Sequence, residues 1–302
     1  MTTRIDARPI VVGVDDTASA HDAALWAADL ASAWRAPLCL THVVNGAGTV
    51  STPELPSWLR ELASAAERTG ADPVATEVRY GATIDQLHVR SADARMLVLG
   101  SYGARGWGGV LAGENAVPLL QRCPCPLVVV RGQTPGVPPR REGPVVVGVD
   151  ESATGDRALA FAAELAGHSE HRRLLAVHTY SELVRDIGGH AHRLPEDASE
   201  LARRGHALLT SRLEPLARRH PELTVDSQVV SGTPLRALLA HGHDAWLVVV
   251  GQRRAGAPGG PHWGSTSQGL IEFAPCPVAV VPPGATAILE PAKEPTGAGA
   301  TS

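Results

Sequence analysis

A chain of 302 residues with 44% apolar side chains has material for two cores of ordinary size. Its formal charge of −4 excludes the broad basic face that nucleic acid or an anionic membrane surface requires. No uncharged apolar run of about 18 residues occurs, so no membrane span is expected, and the start MTTRIDARPI, without an apolar leader, makes a cytoplasmic address the expectation.

The first predicted element is the strand IVVGVD (10–15), which ends on Asp15. A helix, HDAALWAADLASAW (21–34), follows it with Thr17 or Ser19 as cap. Strands are then expected at PLCLTHVV (37–44), PVATEVRY (73–80), ARMLVLG (94–100) and PLVVV (126–130), with Ala-rich helical segments between them. Runs that are apolar almost throughout suit strands buried on both faces, and the helices suit crossovers, so a parallel sheet of βαβ units is expected. Pro126 opens the last strand and is best tolerated at a strand start or a sheet edge, an edge that could pair with another.

The fourth strand runs into GSYGARGWGGVLAGENA (100–116), in which Gly100, Gly103 and Gly113 fall at the spacing G-x2-G-x9-G. Glycine lets a backbone approach phosphate oxygens with no Cβ in the way. A loop from the C-terminal end of a parallel strand into a helix N-terminus is also where α/β sheets hold anions. The spacing is neither the GxGxxG nor the P-loop fingerprint, and a ligand-free turn accounts for it as well.

After GQTPGVPPRREG (132–143), a linker rich in Pro and Gly, the pattern begins again. PIVVGVDDTAS (9–19) returns as PVVVGVDESAT (144–154), and CPCPLVVVRG (123–132) as APCPVAVVPP (274–283). The second set of strands is VVVGVD, RRLLAVHTY, LTVDSQVV, AWLVVVG and PVAVV, the last opened by Pro277, and the first helix is capped by Ser152 or Thr154. Asp15 to Asp150 is a step of 135 residues (150 − 15), whereas Gly81 to Gly232, Gly100 to Gly251 and Cys125 to Cys276 are each 151 (276 − 125). The second copy is therefore longer in its middle, where residues 181–220 read as a loop and then a long Arg-rich helix. Two five-stranded α/β domains of Rossmann-like type are expected, at 1–131 and 144–283, followed by a disordered tail at 284–302.

Other groups have plain readings beside sharper ones. Cys39, Cys123, Cys125 and Cys276 form no CxxC pair and read as reduced and buried, against a redox or metal role for Cys123-Pro-Cys125. His190 and His192, with Asp186 and Glu196 nearby, read as a solvated loop rather than a metal site. Arg203, Arg204, Arg212, Arg218 and Arg219, interleaved with Glu200 and Glu214, read as a solvated, partly paired face, with a partner-docking surface as the alternative. Trp107 and Trp263 lie in glycine loops and could cover a ligand; the other four tryptophans are expected to pack. No nucleophile motif is present.

GVDDTAS closing the first strand, HVV closing the second, Gly81 opening a third helix and the glycine loop after the fourth strand together resemble the universal stress protein family, twice over. The resemblance implies a parallel sheet in the order 3-2-1-4-5 with a ligand crevice between strands 1 and 4. It also implies ATP, or ADP or AMP, with Mg²⁺. By that resemblance Asp15 and Val43, and in the second copy Asp150 and Thr179, lie by the adenosine. The phosphates fall to the glycines of G-x2-G-x9-G-S/T: Gly100, Gly103 and Gly113, then Gly251 and Gly264, the latter with Ser265 and Ser267. Two departures stand out. Glu114 replaces the hydroxyl residue in the first copy, where it would repel a phosphate although Asn115 could still donate, and Arg254 replaces the middle glycine in the second. Pro258 and Pro261 also remove backbone donors there, while Arg253 or Arg254 could supply charge-assisted contacts.

The function expected from this is a nucleotide-responsive regulator of stress or dormancy that acts through a protein partner. The rival is a protein-binding scaffold without nucleotide, and a slow ATPase comes third. The two domains are expected to pair through their last strands, within one chain or as a homodimer.

Overall fold

The computed structural model describes residues 8–46, 55–101, 116–134, 136–168, 173–181, 183–185, 191–193, 197–252 and 265–285. The first copy comprises β1 (Ile10–Val14), α1 (Ala18–Trp34), β2 (Leu38–Val44), α2 (Ser57–Arg68), β3 (Val74–Tyr80), α3 (Thr83–Ser91), β4 (Met96–Gly100), α4 (Ala116–Arg122) and β5 (Leu127–Val130). The second comprises β6 (Val145–Gly148), α5 (Ala153–Gly167), β7 (Leu174–Tyr180), β8 (Leu183–Arg185), β9 (Ala191–Arg193), α6 (Ala198–Arg219), β10 (Val225–Ser231), α7 (Pro234–Gly242), β11 (Leu247–Gly251), α8 (Ser265–Phe273) and β12 (Val278–Val281).

Ten of these strands form one sheet in the order β10-β7-β6-β11-β12-β5-β4-β1-β2-β3. In this sheet every pairing within a copy is parallel and the order is 3-2-1-4-5. The copies meet where β12 runs antiparallel to β5, with Val278 opposite Val129 and Val280 opposite Leu127. The last-strand pairing is thus made within the chain, and neither last strand keeps a free edge for a second one. Residues 181–220 depart from the expected loop and helix, because β8 and β9 pair antiparallel as a small separate sheet before α6 begins.

Side chains alternate between two helical layers. Ile10, Val12, Met96 and Val98 face the layer of α1, α2, α5 and α6, and Val11, Leu97 and Leu99 face that of α3, α4, α7 and α8. All seven are buried, which is why the strand sequences carry no polar alternation. Thr17 and Ser152 are the caps: their hydroxyl oxygens accept the N–H of Ala20 at 3.2 Å and of Gly155 at 3.0 Å. Asp197 caps α6 through the N–H of Glu200 at 2.8 Å. Among the described residues no helix is long and apolar enough to cross a membrane.

Both layers are sewn across the junction. In one, Trp26 of α1 stacks on Trp246 with centroids 5.0 Å apart, and the Arg95 guanidinium lies 3.9 Å from the centre of the Trp34 ring while pairing with buried Glu164 of α5. In the other, the Gln252 amide donates to the Leu120 carbonyl at 2.9 Å, and Arg131 donates to the carbonyls of Ile271 and Glu272.

Candidate functional site

The C-terminal ends of β1 and β4 lie side by side, with Gly13 in register with Leu99. Asp15 follows directly on β1, and Gly100 closes β4. An acid and a glycine 85 residues apart (100 − 15) are thereby brought to one end of the sheet, at the strand from which the chain winds both ways. Asp15 is half-buried, and among the described residues its carboxylate accepts one hydrogen bond, from the Thr17 hydroxyl at 2.5 Å. His42 fixes the turn below it: its Nδ1 lies 3.0 Å from the carbonyl oxygen of Val14, which requires a proton on Nδ1. Val43 is the next residue of β2, half-buried and one step beyond the Val14–His42 register pair.

A side chain at Gly100 would strike the backbone of Ser19 in α1 at 2.7 Å, and one at Gly251 would strike that of Thr154 in α5 at 2.6 Å. Ser19 and Thr154 are equivalent residues of the two copies. The first glycine of each loop is therefore demanded by the approach of helix to strand, whether or not a phosphate binds.

The second copy repeats most of this geometry. His178 Nδ1 lies 2.9 Å from the Val149 carbonyl oxygen, and half-buried Thr179 stands where Val43 does. Asp150 differs, since its Oδ1 accepts both the N–H of Ser152 at 2.9 Å and the Ser152 hydroxyl at 2.5 Å. Ser265 is the exposed first residue of α8, whereas Ser267 is buried with its hydroxyl 3.5 Å from the Gly251 carbonyl oxygen. Gly103, Gly113, Glu114, Asn115, Arg253, Arg254, Pro258, Pro261, Gly264, Trp107 and Trp263 lie outside the described residues. Both histidines stand in strands the sequence predicts, PLCLTHVV and RRLLAVHTY, but nothing in those strands signals that each holds the carbonyl before its acid.

All four cysteines are free and buried. The interaction between neighbouring Cys123 and Cys125 lowers the Cys123 thiol and, with burial, raises that of Cys125, while burial pushes Cys276 up to about 12. No group of three or more His, Cys, Asp or Glu able to hold a metal occurs among the described residues; Asp186, His190, Glu196 and the His192 side chain fall outside them. On α6, Arg203 and Arg204 pair with Glu200, Arg218 with Glu214, and Arg212 with Asp156 of α5.

A family model described as universal stress protein family matches residues 7–131 and 143–282. A universal stress protein of Mycobacterium tuberculosis (strain H37Rv) is 29% identical over 296 residues, covering 90% of this chain and 95% of its own. One from Mycolicibacterium smegmatis is 32% identical over 295 residues, covering 91% and 97%. The crystal structure of a universal stress protein from Archaeoglobus fulgidus superposes with a TM-score of 0.67 at 19% identity, covering 93% of this chain and 99% of that one, and so shares the fold. With its motifs, strand order and sequence in agreement on both halves, the chain belongs to the universal stress protein family as a tandem, two-domain member.

Proposed function

We propose that this universal stress protein binds adenine nucleotide in the crevice between β1 and β4 of its first copy. Its function is then that of a cytoplasmic, nucleotide-responsive regulator whose partner reads the state of the glycine loop. One observation carries the reading: a half-buried Asp15 carboxylate that accepts only the Thr17 hydroxyl among the described residues stands at the end of β1, beside the end of β4 from which the glycine loop departs. Such an acid suits a ribose hydroxyl or an adenine amino group, both of which donate. Backbone N–H groups of a glycine-rich sequence, unobstructed by side chains, suit the phosphates. The reading is of a binding protein, with no turnover assigned to it.

A second reading, a scaffold that binds protein and no nucleotide, draws support from Gly100 and Gly251, whose lack of a side chain is already explained by packing against α1 and α5. Calorimetry of ATP, ADP and AMP with Mg²⁺ on the whole chain decides between them. Saturable binding that is lost in Gly103→Arg is expected. Heats that stay at the dilution level up to millimolar nucleotide would overturn the nucleotide reading in favour of the scaffold.

A further inference from the structure

The acids that follow the first strand of each copy both accept the hydroxyl of the cap residue at 2.5 Å, and Asp150 alone adds a backbone N–H to it. Asp150 is turned back over the start of α5, where one oxygen takes both the N–H and the hydroxyl of Ser152. A Cβ on Gly155 would fall well inside van der Waals contact of that oxygen, and 3.2 Å from the Asp150 carbonyl oxygen. The carboxylate thus fills the space of a missing side chain. The equivalent residue of the first copy is Ala20: each is three positions after its cap, with its N–H on the cap hydroxyl, and Ala20 is buried. The first copy thus carries a methyl at the position where the second has only a hydrogen beside its acid. Asp15 is accordingly left with the Thr17 hydroxyl as its one described partner.

We infer that Ala20 and Gly155 separate the two acids into different roles, Asp15 as a nucleotide contact and Asp150 as a cap of α5, so that one chain holds one nucleotide. The inference rests on the nucleotide reading above and deepens it, since it assigns the single working site and the residue that disables the other. The Ser152 hydroxyl, 3.0 Å from the Thr154 hydroxyl, ties the Asp150 cap further into the first turn of α5. Turning Asp150 toward a ligand would break its bonds to Ser152, a loss that Asp15 does not face to the same extent.

The test is titration of the whole chain with MgATP by calorimetry, read as stoichiometry and Kd, beside thermal melting of the same variants. One equivalent is expected for the unaltered chain. Asp15→Ala should weaken binding about tenfold or more, the scale of one lost hydrogen bond to a charged group. Ala20→Gly removes only a methyl, so it keeps the fold, and should also weaken binding by letting Asp15 turn back over α1. Asp150→Ala should leave stoichiometry and Kd unchanged and lower the melting temperature by more than Asp15→Ala does. Two equivalents per chain, a loss of affinity in Asp150→Ala equal to that in Asp15→Ala, or an Ala20→Gly that binds as the unaltered chain does would overturn the assignment while leaving the nucleotide reading intact. Absence of all binding would overturn both.

Discussion

The two copies reach across their junction with different chemistry at equivalent places. Position 246 of the second copy holds a tryptophan that stacks on Trp26, whereas its counterpart, 95, holds an arginine that pairs with Glu164. The carbonyls of Leu120 and Ile271 are equivalent, and each is met from the opposite copy, one by Gln252 and the other by Arg131. These donors are not equivalent: Gln252 corresponds to Ser101, whose hydroxyl is buried with no hydrogen-bond partner among the described residues, and Arg131 corresponds to Pro282, which has no donor to offer. The backbone at the junction repeats while the side chains do not. Fold symmetry is therefore set by the sheet, and the contacts that join the halves are free to differ because each occurs once.

The largest expected effects test that asymmetry. Trp246→Ala should cost about 3–5 kcal/mol through the cavity it leaves against Trp26. Arg95→Ala should cost a similar ~3–5 kcal/mol by removing the guanidinium from a buried carboxylate. Denaturant midpoints followed by circular dichroism check both, and a near-neutral Arg95→Ala would break the proposed equivalence of the two contacts. Next come the positions where the copies agree. Gly100→Ala and Gly251→Ala each force a Cβ against helix backbone and should cost about 1–3 kcal/mol, equally in the presence and absence of nucleotide. Thr17→Ala and Ser152→Ala should each cost about 0.5–2 kcal/mol, the range for a lost helix cap.

The smallest effect concerns the thiols. Cys123 has a thiol neighbour in Cys125, whereas the residue equivalent to Cys123 in the second copy is Ala274. In the native protein Cys123 should alkylate first and Cys276 last, read by peptide mass mapping. Cys276 also gives a pH dependence with a definite sign. Its folded value of about 12 exceeds the ordinary 9.0, so stability is intact below pH 9 and declines as pH rises toward 12, where the unfolded chain alone ionises.

Much of the fold was legible because strands buried on both faces are written as short apolar runs, and all ten strands of the main sheet were read from them. Their order was not in the pattern; it came with the resemblance to a family. The β8–β9 pair was missed because three-residue strands carry too few side chains to show a period, although Gly188-Gly189 between them was a turn signal. At the site, Asp15 and Gly100 could be placed together from strand ends alone. The difference between Asp15 and Asp150 could not, since it depends on whether one methyl is present five residues further on. Contacts such as Arg95 with Glu164 were equally out of reach, being decided by how two helical layers meet after both domains have formed.

The antiparallel seam between β5 and β12 lies within a single polypeptide, its sides joined through residues 132–143. Each half then meets the other at a local concentration fixed by that tether and unaffected by how much protein is in solution. Dilution, which dissociates a pair of separate subunits and lowers their melting temperature, has no such hold on this seam, so the junction should persist even when the cell contains only a few copies of the chain.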